Sequence, residues 1–256
     1  MKGFCAFINK ELLEQVRSWR LLIFAAAFAV LGIMNPMIAK LTPVLFEAYS
    51  DQLAGQGIVI GEITVTAMDA WSQFIKNAPI AVMITVVIFG GIFTGEYSKG
   101  TLIPLVTKGL SRNSAVLSKL AVMCIMWSAG IWCCFGITYL YSTIYWDNTI
   151  VKNLAFSGIG WWIFGLFMIS ILTFVSAFAN SMVQVLLGTG GIYLVIFIMS
   201  RFAKISKYLP TKLTDSVGLF EGGAAPGDYT AAMIITIVTA GVLIAAAMLV
   251  TDKRQL

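Results

Sequence analysis

The residues able to do chemistry are few, and their types exclude more than they suggest. Histidine is absent from the 256 residues. That removes HExxH zinc sites, imidazole acid–base work and histidine proton relays. The cysteines are Cys5, Cys124, Cys133 and Cys134. They have no metal-ligand spacing and form no plausible extracellular pair, so a packing role fits them best. The run Gly95-Glu96-Tyr97-Ser98-Lys99-Gly100-Thr101 gathers Gly, Lys and Thr, but its spacing is wrong for a phosphate loop. No catalytic residue and no metal ligand set is assigned. What remains is charge at two places: Glu11, Glu14 and Arg17 in the first segment, and Glu96, Lys99, Lys108, Arg112 and Lys119 further on. Such groups suit docking rather than bond-making.

The elements that must position these charges are membrane spans. The chain is 59% hydrophobic and 11% charged, with a mean hydropathy of +0.89. Soluble domains carry about 25% charged residues. An all-α integral membrane protein is expected, with six spans at 21–39, 78–95, 120–141, 159–179, 185–200 and 230–250. No Asp, Glu, Lys or Arg lies inside them, and Glu96 stands at the end of the second. That argues against an ion-coupled carrier, a voltage sensor or an aspartyl intramembrane protease.

Residues 1–20 place Phe4, Ile8, Leu12, Val16 and Trp19 at helical spacing among charges, the pattern of an amphipathic helix lying in the membrane surface. Asn35-Pro36 is a candidate kink or stop for the first span. The segment 40–77 is too polar to span and reads as outer, with helix near Ala67–Lys76. Residues 201–229 are a second outer segment. A tight Asn180-Ser181 link with Gln184 joins the fourth and fifth spans, where helix capping is the favoured reading. Gly91, Gly95, Gly188, Gly190 and Gly191 suit close helix packing. Basic residues are denser in the segments placed inside, including Lys99, Lys108, Arg112 and Lys253, so both termini are expected in the cytoplasm. The basic stretch Arg201–Lys212 argues the other way.

The most informative stretch is Gly95–Leu102, followed by Leu105–Arg112 and Lys119. Gly100 can take the positive φ that a sharp reversal needs, and Leu102, Leu105 and Val106 can form a small apolar face beside basic residues. This run resembles the signature of the ABC-2 type permeases, the membrane subunits of ATP-binding-cassette exporters. The matching positions are Glu96, Lys99, Gly100-Thr101, Leu102, Leu105 and Ser111-Arg112. An amphipathic N-terminal helix, six spans, Tyr208-Leu209-Pro210 and a basic tail agree with it.

The resemblance implies a cytoplasmic coupling loop at 96–119 and a domain layout of an interface helix (1–20) followed by the transmembrane domain (21–256). ATPase-coupling residues would be Glu11, Glu14, Arg17, Glu96, Lys99, Gly100, Thr101 and Arg112. It implies short outer re-entrant helices in 201–229, two separate cytoplasmic ATPase subunits that hold ATP and Mg, and a second permease subunit, identical or not. No cofactor on this chain and no nucleic-acid partner follow from it. The setting would be a bacterial plasma membrane, with membrane lipid as a further partner. Peptide, drug, lipid and ion cargoes are all compatible. The competing reading is a non-transporting scaffold or an immunity or assembly protein.

Overall fold

The structure is a computed structural model that describes residues 2–48, 64–95 and 112–253. The described residues form helices and no strand: α1 (Lys2–Arg17), α2 (Arg20–Ala48), α3 (Ala67–Phe89), α4 (Arg112–Tyr145), α5 (Leu154–Phe178), α6 (Met182–Met199), α7 (Ala203–Ser206), α8 (Val217–Glu221) and α9 (Thr230–Lys253). Six of these, α2 to α6 and α9, are long and apolar enough to cross a membrane. The chain is therefore a multi-pass helical membrane protein.

Two spans reach further than the hydropathy pattern implies. α3 begins at Ala67, so the helix expected near Ala67–Lys76 is the first part of one that continues through the second span. α2 runs through Pro36 and Pro43 to Ala48, so Asn35-Pro36 does not stop it. Proline lacks the N–H that would bond the carbonyl four residues back. At Pro36 the freed carbonyl belongs to Gly32, and the Thr138 hydroxyl on α4 lies 3.1 Å from it. A neighbouring helix thus supplies a donor, which is how spans tolerate proline.

α5 is the central element, with 72% of its apolar window buried; α6 and α9 have 11% each. α5 is enclosed through glycines. A Cβ at Gly165 would overlap the Trp127 indole of α4, and one at Gly160 would lie 2.6 Å from the Leu213 carbonyl oxygen. Trp127 is held by its own bond to the Trp162 carbonyl, 2.9 Å, and by edge contact with Phe28. Small residues let backbones approach where lipid offers no hydrophobic drive between helices.

The segment between α6 and α9 folds onto α5. Ser157 and Ser216 hydroxyls bond at 2.7 Å, Tyr229 donates to the Asp215 carbonyl at 2.7 Å, and Leu213 and Phe220 are buried. Lys212 pairs with Asp215 at 2.8 Å. Partial burial works against its charge, and the Asp215 carboxylate outweighs it, so the Lys212 pKa is raised. At the α5–α6 corner, Ser181 accepts from the Gln184 N–H and the Gln184 side chain accepts from the Asn180 N–H. That is the capping expected there.

Candidate functional site: the junction of the first helix with the bundle

α1 crosses the N-terminal part of α4. Between them lies a buried ion pair: Lys119 Nζ sits 2.9 Å from Glu11 Oε2, with side-chain exposures of 2% and 1%. Lys10 bonds the other Glu11 oxygen at 2.9 Å and reaches Glu14 at 3.3 Å. Glu11 is thus held by a cation on each oxygen, and a buried charge needs such partners. One turn on, Gln15 is 1% exposed, and neither of its amide atoms has a hydrogen-bond partner among the described residues. Asn113 Oδ1, near the start of α4, is likewise buried and without a partner among them.

The face of α1 turned to the bundle is therefore Phe7, Glu11 and Gln15, all buried, with Ile8 and Leu12 packed alongside. Val16 and Trp19, read from sequence as part of the apolar stripe, are exposed at 54% and 66%. Trp19 forms the corner into α2 with φ 60°, a left-handed conformation unusual for a bulky residue. Glu14 is exposed and Arg17 closes α1, where a cation complements the helix C-terminus. Glu96, Lys99, Gly100 and Thr101 lie outside the described residues, as does most of the loop 96–119. The backbone of Arg112 opens α4.

At its other end α4 carries a neutral network. Asn148 is 7% exposed. Its oxygen accepts from Trp71 Nε1 (3.0 Å) and Ser142 (2.9 Å), and its nitrogen donates to the Tyr139 carbonyl (3.2 Å) and Thr143 (3.1 Å). Deeper in, Asn77 donates to Asn35 (2.8 Å), which donates to Thr138 (2.9 Å). These groups tie α2, α3 and α4 together. Sequence reading passed over them; the signal available was polar amides within or beside apolar runs.

Of the glycines singled out for packing, Gly188 makes the close approach: a Cβ there would lie 2.6 Å from Val175 Cγ1. Gly91 would make ordinary contact with Met182, and a Cβ at Gly95, Gly190 or Gly191 would meet nothing within 4 Å. Further close approaches in the described bundle include Gly160 and Gly165, as above, Gly130 against Phe24 and Phe28, Gly32 against Ile137 and Gly90 against Leu186. Among the described residues no group of His, Cys, Asp and Glu is arranged to hold a metal ion.

The described residues thus form a bundle with six helices long and apolar enough to cross a membrane and a charged joint at one end. The family model described as ABC-2 family transporter protein matches residues 5–217, so the chain belongs to that family and is a membrane permease of an ABC transporter. Permeases of this family are membrane components without an ATPase site of their own, and they generally work with ATPase subunits. Comparison with curated proteins gave no match.

Proposed function

We propose that the chain is the permease subunit of an exporter, driven by two separate cytoplasmic ATPase subunits and paired with a second permease subunit, the same or different. ATP and Mg would be held by the ATPases. The chain would sit in a bacterial plasma membrane with both termini in the cytoplasm. The coupling surface would comprise Glu14 and Arg17 on α1 and Glu96, Lys99, Gly100, Thr101 and Arg112 of the loop. Glu11 takes a different part from its exposed neighbours. Buried on Lys119, it would make α1 and α4 move as one piece when the ATPases close.

The observation that most supports this reading is the buried Glu11–Lys119 pair within a chain of the ABC-2 family. It joins the two segments that flank the proposed coupling surface. The test is co-purification in detergent with the ATPase encoded nearest the gene, using the intact chain and a Glu96→Lys/Arg112→Glu variant. Retention by the intact chain and loss by the variant is the expected result. No ATPase bound to the intact chain would move the assignment to a scaffold or immunity protein.

A further inference from the structure

Spans α3, α5 and α6 enclose a lateral groove of about 490 Å³, lined by Val82 and Met83 on α3, Trp161 and Met168 on α5, and Thr189 and Gly190 on α6. Its volume is in the range of small-molecule sites. The lining is apolar apart from Trp161, Thr189, Tyr193 and Thr214, and the Thr214 hydroxyl already donates to the Thr211 carbonyl. Trp161 is 3% exposed and Thr189 fully buried, and neither the indole Nε1 nor the Thr189 hydroxyl has a hydrogen-bond partner among the described residues.

Thr189 departs from the pattern of its own class. Thr85, Thr173 and Thr236 each place the hydroxyl on the carbonyl four residues back. Thr189 makes no such bond. Leaving a buried donor unmade is costly, most of all where no water can replace the partner.

The two orphan groups do not lie side by side. α5 and α6 run antiparallel, with Phe164 beside Tyr193 and Val175 beside Gly188. Trp161 therefore sits roughly 7–13 residues along the groove from the level of Thr189, or ~10–20 Å at the helical rise. Met83 is 66% exposed at the mouth, so entry is sideways, from the membrane.

We infer that this groove binds an elongated, neutral, mainly apolar molecule that carries two hydrogen-bond acceptors ~10–20 Å apart, one for Trp161 Nε1 and one for the Thr189 hydroxyl. Naming that molecule as cargo rests on the exporter reading; the binding itself does not. A lipid acyl chain would fill the space but leave both donors unmade, which is the rival that the test separates.

The test uses the full chain in phosphatidylcholine nanodiscs, with no ATPase present. Three diazirine probes of equal chain length are compared: a twelve-carbon diester, the matching monoester and the matching hydrocarbon. Labelled positions are mapped by mass spectrometry. The diester is expected to label Met83 and Met168 in preference to Leu187, which is 72% exposed on α6.

Trp161→Phe and Thr189→Val should each weaken the diester about fivefold, the worth of one hydrogen bond. The monoester should respond to one of the two substitutions, and the hydrocarbon to neither. Gly190→Leu should abolish labelling in the groove while the protein stays folded, because its Cβ would meet nothing within 4 Å. Equal groove labelling by hydrocarbon and diester, or diester labelling confined to Leu187 and its outward neighbours, would overturn the inference. So would diester labelling that both point variants leave unchanged.

Discussion

The two ends of α4 solve the same problem in opposite ways. At its C-terminal end, Asn148 has both oxygen and nitrogen fully engaged, and Asn35 accepts from Asn77 and donates to Thr138. At its N-terminal end a charged pair is buried, and Gln15 and Asn113 leave polar atoms without partners among the described residues. A completed neutral network rigidifies, while a partly satisfied one invites another group. The contrast is between a joint whose polar atoms are met and one where some are not met among the described residues.

The sharpest way to break this contrast is Lys119→Met. The substitution takes one of the two cations from the buried Glu11 carboxylate and leaves Lys10 on the other oxygen, at a cost of up to about 3 kcal/mol. Thermal unfolding in detergent should show that loss, and the exchange Glu11→Lys/Lys119→Glu should recover most of it.

At the other end, Asn148→Leu leaves the Trp71 indole N–H and the Ser142 hydroxyl without their acceptor. About 2–3 kcal/mol should be lost, with no change in ATPase retention. Thr138→Val removes an interhelical hydrogen bond of the kind that averages about 0.6 kcal/mol in membranes. A loss above about 3 kcal/mol would mean that the network is worth more than separate bonds.

The smallest effect on stability is expected from Gln15→Leu, within about 0.5 kcal/mol of the parent or slightly stabilising, because no bond is lost. Its use lies in the second readout. Unchanged stability with weaker ATPase retention would make Gln15 a group that waits for a partner; unchanged retention would make it a tolerated orphan.

The number of spans was legible because hydropathy reports the solvent around a helix, and hydrocarbon demands long apolar runs. The ends of α2 and α3 were not. Pro36 reads as a stop until Thr138 is seen to reach the carbonyl it frees, and the polar start of α3 gives no sign of continuity with its apolar remainder. The capped corner at Asn180–Gln184 was legible, since caps act over three or four residues.

The buried face of α1 was not legible. Glu11 reads as a solvated charge because Lys119, 108 residues away in sequence, carries no mark of the pairing. Hydropathy also failed to separate α5 from α6, at 2.0 and 2.1. The difference in burial comes from what meets each glycine, and that depends on tertiary contacts. The resemblance named the family correctly, while Glu96, Lys99, Gly100 and Thr101 fall outside the described residues.

The span of the Glu11–Lys119 pair also imposes an order in time. A ribosome adding about 5–20 residues per second needs roughly 5–20 s to get from one residue to the other. For that interval Glu11 is made but cannot be paired with Lys119, and α1 must wait unlocked at the membrane while α2 and α3 are threaded and α4 is begun. The clasp that closes the N-terminal joint therefore cannot form before α2 and α3 have been made.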